Sequence, residues 1–165
     1  MKSLAEQMSI YQRYHRNPKN KATHFVGVPA IVLAVMLALS WVPIGHSGIT
    51  LADVLVVPLL VYYFRLDGPL ALASTIVLGA LLALAHGLDA NLSQTGAWIA
   101  FGVLFVGGWI VQLVGHAFEG RKPALADNLF QVFIAPIFLV AEVFFACGYK
   151  PGLREAVEAG HPRHA

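Results

Sequence analysis

Residues 97–116 read AWIAFGVLFVGGWIVQLVGH, without one Asp, Glu, Lys or Arg, and the charge-free stretch around them runs from Ala90 to Phe118. A helix crosses a bilayer with roughly 20 mainly apolar residues, so this stretch is long enough to span. Two more charge-free stretches precede it, Ala22 to Ala52 and Gly68 to Leu88. A soluble chain of 165 residues has no core that could enclose all three. Composition agrees, with 58% hydrophobic and 12% charged residues against about 45–50% and about 25% in soluble domains. The predicted fold is all-α, a polytopic transmembrane helix bundle.

Outward from that stretch, five apolar segments divide the chain: His24–Val42, Leu51–Phe64, Pro69–His86, Ala97–His116 and Asn128–Gly148. The second is short for a span, which leaves four crossings as the alternative to five. Pro43, Gly45 and Gly48 mark one loop, Leu66-Asp67-Gly68-Pro69 a tight turn, and Asp89 to Gly96 a polar loop. Ahead of the first segment, Ser3-Leu4-Ala5-Glu6 reads as a capping box. Leu4, Met8, Tyr11 and His15 then share one helical stripe, and Pro18 stops the helix near Asn17. This is an amphipathic helix expected at the membrane surface. The chain reads as a single membrane domain over 1–165: surface helix and turn 1–23, bundle 24–148 and polar tail 149–165. The first 23 residues are polar, so no cleavable signal peptide is expected.

With five crossings, one face carries Lys2, Arg13, Arg16, Lys19, Lys21, Arg65, Arg121 and Lys122, and the other Lys150, Arg154 and Arg163. That excess predicts a cytoplasmic N-terminus. It also puts His15, His24, His116 and Glu119 on the cytoplasmic face, and His46 and His86 on the opposite one.

Several function classes drop out. A net charge of +2 offers no case for a nucleic-acid partner. Cys147 is the only cysteine, so intrachain disulfides and cysteine zinc sites are excluded. No Gly-rich phosphate loop, Gly-x-Ser-x-Gly elbow or clustered HxxxH box of the membrane desaturases is present.

Seven histidines remain to be explained, since ionisable groups at membrane depth are costly and are commonly buried, paired or functional. Gln112, His116 and Glu119 share one helix face, and a His and a carboxylate three apart can reach one metal. A plain interfacial hydrogen bond and ion pair explain them equally well. His15 and His24 flank Asn17-Pro18-Lys19-Asn20-Lys21, and a turn there could join both imidazoles at the same boundary. Singly each reads as interfacial; with His116 they form a candidate metal cluster, for which His and carboxylate without thiolate favour non-haem iron or zinc. Asn128, Gln131 and Glu142 share a face of the last segment, and Glu142 is expected well inside the membrane, as a structural group or part of a substrate path. His161 and His164 belong to the solvated tail, and Trp41, Trp98 and Trp109 read as interfacial or packing aromatics.

Two stretches together resemble a known family. One is Tyr14-His15-Arg16-Asn17-Pro18-Lys19-Asn20-Lys21-Ala22-Thr23-His24-Phe25-Val26-Gly27-Val28-Pro29, of the form YHxxxxNxxxHxxGxP. The other runs from Gln112 through Gly115-His116-Ala117-Phe118-Glu119-Gly120-Arg121-Lys122-Pro123 to Leu129, followed by Ala135-Pro136-Ile137-Phe138 and Glu142. They resemble the 2-hydroxy fatty acid dioxygenase family over nearly the whole chain. The resemblance implies an Fe(II)-dependent enzyme of fatty acid α-oxidation that uses O2 to shorten a 2-hydroxy fatty acid by one carbon. It implies His15, His24 and His116 as iron ligands. Asn20, Gln112, Glu119, Arg121 and Asn128 match positions that would orient ligands or hold the substrate carboxylate, and Lys122 joins Arg121 in attracting it. Glu142 is carried as a further catalytic or supporting residue. His86 resembles a fourth family histidine, yet the 97–116 helix would hold it about 30 Å from His116. The expected surroundings are membrane lipid, the bacterial inner membrane or the endoplasmic reticulum according to source, with a homodimer as one option for assembly. The rival reading, a small transporter or channel with a histidine-lined proton or metal path, requires polar residues spread through the membrane depth.

Overall fold

Reciprocal hydrogen bonds start the first helix. In the computed structural model, which describes residues 2–120 and 129–159, the Glu6 N–H donates to the Ser3 hydroxyl at 3.2 Å and the Ser3 N–H donates to the Glu6 carboxylate at 2.7 Å. This is the expected capping box, and it satisfies donors that lack intrahelical partners. The helix, α1, covers Leu4–Gln12. Its stripe of Leu4, Met8 and Tyr11 is buried, with His15 buried beyond it. The stripe packs on protein, against the two C-terminal helices described below, and so does not lie open to lipid.

The first helix ends at Gln12, ahead of the expected stop near Asn17, and the next helix instead starts at Pro18. Its fixed φ and missing N–H suit a first helical turn, and the Asn17 side chain caps that turn by accepting from the Lys19 N–H at 2.9 Å. Helix α2 therefore covers Pro18–Ser40 and begins ahead of His24, where the sequence pattern put its start. After a loop come α3 (Leu51–Leu66) and α4 (Gly68–Asn91), separated by Asp67 alone. The Asp67 carboxylate accepts from the Leu70 N–H at 3.0 Å and pairs with Lys150. Helix α5 covers Gln94–Glu119 and ends at Gly120, whose φ of 68° lets its N–H turn back to the His116 carbonyl at 3.0 Å. Two more helices follow, α6 (Gln131–Ala146) and α7 (Pro151–Ala159). No strand occurs among the described residues.

Three helices, α2, α4 and α5, are long and apolar enough to cross a membrane, and α6 with α7 makes a fourth candidate only as a pair bent by 119°. That makes three crossings or up to four, against the five expected with four as the alternative. Helix α3 has 16 residues, about 24 Å of rise, short of the ~30 Å hydrocarbon core. Both ends of α6 stay in one half of the bundle. Phe130, just before it, meets Tyr62 edge-on, and Tyr62 bonds to Gln7 of α1; Glu142 near its other end binds Lys21 at the start of α2.

The charge pattern also changes. Lys150 pairs with Asp67 beside the end of α3, and Arg154 lines a polar pocket with Lys21 and Glu142. Both belong to the end that carries Lys2, Arg13, Arg16, Lys19, Lys21 and Arg65, so every described lysine and arginine gathers at one end of the bundle. The outer faces carry exposed Leu72, Ile76, Ile99, Val103 and Ile110, as lipid-facing surface requires.

Helices α2 and α5 form the most extensive packing, and glycine permits it. A Cβ on Gly27 would lie 2.6 Å from the Gln112 side chain and 2.9 Å from the Gly108 carbonyl oxygen. One on Gly115 would lie 2.0 Å from the Thr23 hydroxyl and 2.6 Å from the Asn20 amide oxygen. Gly107, by contrast, has nothing within 4 Å of such a carbon. Gly27→Ala is therefore expected to cost about 1–3 kcal/mol through overpacking and to lower the melting temperature in detergent, whereas Gly107→Ala leaves it unchanged or raised.

Candidate metal centre

The close α2–α5 seam carries His24 and His116 to the same end, and the turn between α1 and α2 swings His15 onto them. Each of the first two rings is anchored to the chain next to it. His15 Nδ1 lies 2.7 Å from the Tyr11 carbonyl oxygen, and His24 Nδ1 lies 2.9 Å from that of Asn20. A carbonyl can only accept, so both Nδ1 atoms carry the hydrogen. Both Nε2 atoms then present lone pairs, and they face each other at 3.0 Å. A proton placed between them would relieve the clash, but the site resists it. Burial first, then repulsion from His24, holds the His15 imidazole far below its usual value, at about 3.

A cation relieves the clash instead. A spacing of 3.0 Å is about √2 times the ~2.1 Å bond from imidazole to a metal, as for two ligands at a right angle on one ion. His116 supplies a third imidazole. Its Nδ1 is buried and has no hydrogen-bond partner among the described residues, and one nitrogen from each ring lies within 4.8 Å of the others. Neutral imidazoles suit iron, zinc, copper or nickel, and the one cysteine, Cys147, is exposed. The residues thus fit a metal held by three nitrogens with positions left open.

Around the triad, packing and hydrogen bonds fix the rings. His15 stacks on Tyr11 with centroids 4.0 Å apart and planes 8° off parallel. Glu119 closes the turn that carries His15: its carboxylate accepts from the N–H groups of Arg16 at 3.0 Å and Asn17 at 2.7 Å, and from the Asn20 side chain at 3.2 Å. Asn20, fully buried, also donates to the Tyr14 carbonyl at 2.9 Å while its own carbonyl holds His24. Glu119 and Asn20 therefore position the imidazoles and stand outside the set of ring nitrogens.

The triad is the polar end of a cavity of about 60 Å³ whose walls include Val28, Ile31, Trp109, Gln112, Gln131 and Val132. Val132, one of its lining residues, is 43% exposed on the outer apolar face.

Other expected residues fall elsewhere. His86 is on α4 at the opposite end, bound to Asp53 at 3.1 Å; it does not join the three imidazoles, because α4 carries it about 24 Å along the helix from the Leu70 end. Glu142 is an ion-pair partner of Lys21 at 2.8 Å, at the basic end and outside the triad, not deep in the membrane. Arg121, Lys122 and Asn128, with the tail residues His161 and His164, lie outside the described residues. Sequence reasoning missed Tyr11 as the platform under His15 and Gln131 and Trp109 as cavity walls. Gln131 had one signal, the face it shares with Glu142 in a largely apolar helix.

No solved structure matches the chain. Over 160 residues it is 38% identical to the Saccharomyces cerevisiae protein 2-hydroxy-palmitic acid dioxygenase MPO1, an alignment covering 94% of this chain and 87% of that relative. A family model described as 2-hydroxy-palmitic acid dioxygenase Mpo1-like matches residues 1–147, which include all three imidazoles, the Glu119 clasp and the cavity walls. By both comparisons, the chain belongs to the Mpo1-like family.

Proposed function

We propose that the chain is an Fe(II)-dependent dioxygenase that shortens 2-hydroxy fatty acids by one carbon with O2. The observation that carries this reading is the buried convergence of His15, His24 and His116 on one point, in a chain related to a 2-hydroxy-palmitic acid dioxygenase. Bound iron supplies the one-electron chemistry that O2 requires and side chains lack. Three imidazoles leave positions open for other oxygen donors, which a 2-hydroxy acid has in its hydroxyl and carboxylate.

The chain's own residues set the rest. Tyr11 and Asn20 hold His15 and His24 in the tautomer that turns Nε2 inward. Glu119 keeps the α1–α2 turn closed over the triad. The apolar walls exclude water and accept the first part of the acyl tail, and the remainder would pass the exposed Val132 into lipid. Arg121 and Lys122 would attract the carboxylate at headgroup level, and Asn128 would assist. The gathering of lysine and arginine at the triad's end supports a cytoplasmic site and N-terminus. Concentration of the chemistry at one end runs against a path across the membrane.

The test is O2-dependent shortening of 2-hydroxypalmitic acid by the purified protein in detergent, with metal content measured alongside. His15→Ala, His24→Ala and His116→Ala are each expected to lose the bound metal and the activity, while His86→Ala keeps both. A wild-type protein that takes up no Fe(II) and consumes no substrate would sink the reading. Glu119→Gln is expected to weaken Fe(II) binding about 10–100-fold in a chelator competition with little change in helix content, because it swaps one of two accepting oxygens for a donor facing N–H groups.

A further inference from the structure

Gln131 is a polar residue of this cavity that the mechanism above does not use. It is 3% exposed, it lines the same cavity as the three imidazoles, and its Oε1 has no hydrogen-bond partner among the described residues. Leaving a buried acceptor unpaired costs free energy; Val132 and Ala135 on α6, with Val28 and Ile31 on α2, offer no donor, and the donors of Tyr11, Trp109 and Gln112 that line the same cavity make no hydrogen bond to it. A bound ligand carrying a donor would complete it. An ionised fatty acid has none on its carboxylate or along its tail. A 2-hydroxy acid has one, the O–H at C2.

We infer that Gln131 is the residue that recognises the substrate's 2-hydroxyl, accepting its hydrogen bond through Oε1 and so selecting 2-hydroxy acids over unsubstituted ones. The inference rests on the dioxygenase reading and adds a specificity residue to it. The hydroxyl has enough valence for two partners: its oxygen lone pairs face the triad while its proton points to Gln131. A site built around such a bond rejects analogues that lack the donor, because the buried partner is then left unpaired. The same logic explains why an amide sits at the start of a helix whose other cavity-facing residues are apolar.

Two arms test it on the Fe(II)-loaded full chain in detergent. In the wild type, 2-methoxypalmitate, which keeps an oxygen at C2 but has no proton on it, and palmitate are measured as inhibitors against 2-hydroxypalmitate. Both are expected to bind at least about tenfold more weakly than the substrate. In Gln131→Met, similar in volume but without the acceptor, KM for 2-hydroxypalmitate rises about tenfold, kcat falls less, and the preference over 2-methoxypalmitate disappears. The melting temperature of the ligand-free variant is no lower than that of the wild type, since an unpaired acceptor has been removed. A 2-methoxy acid that binds the wild type as tightly as the substrate, or a Gln131→Met protein with unchanged KM and preference, overturns the inference. The wild-type arm decides the matter even where the variant does not fold. A wild type that turns over no 2-hydroxy acid contradicts the dioxygenase reading itself and is recognised separately, because no KM is then obtained.

Discussion

Two imidazole lone pairs, buried and 3.0 Å apart, are the constraint around which the rest of the site is arranged. Each is turned inward by a hydrogen bond on the far side of its ring, so neither can swivel to relieve the clash without breaking that bond. Protonation is opposed by burial. Outside a metal site, this arrangement would be selected against, because it stores repulsion and desolvation with no return. With a cation at the centre, the same geometry becomes three converging donors. Local structure thus argues for the ion independently of any relative.

The helices exist to make that convergence cheap to hold. Glycine at Gly27, Gly108 and Gly115 lets α2 and α5 approach until any Cβ would strike the opposite helix, which sets His24 against His116. His15 comes from a different part of the chain, and a loop of that length would wander if nothing held it. Glu119 does so with three donors on the α1–α2 turn. One carboxylate at the end of α5 thereby ties the third imidazole to the helix carrying another. The apolar cavity beginning at these rings is walled in part by Val132, which is exposed on the outer apolar face.

Much of this was legible in the residues. Charge-free stretches named the helical bundle, Ser3 and Glu6 the first cap, and the stripe Leu4, Met8, Tyr11 and His15 the buried side of α1. The triad was readable because its members sit at the boundaries of elements, where a turn must join them. Span count was harder. Apolar content alone cannot distinguish a crossing helix from α6, whose two ends share one half of the bundle, and the reason lies in tertiary contacts to Tyr62 and Lys21. Glu142 misled for the same reason: its place in an apolar segment suggested depth, whereas Lys21 holds it at the basic end. His86 shared the composition of a ligand but not its address, since α4 runs the length of the bundle before reaching it. Gln131 showed in the sequence only as a polar residue sharing a face with Asn128 and Glu142, because nothing in a linear pattern reveals an unpaired acceptor.

Whether three imidazoles meet at one ion is read directly by X-ray absorption at the iron edge of the Fe(II)-loaded protein. One iron per chain with three imidazole nitrogens at ~2.1 Å, the remaining donors being oxygen and none sulfur, is the predicted result. A spectrum showing sulfur, or fewer than three imidazoles, or a protein that retains no iron after removal of free metal, would contradict it.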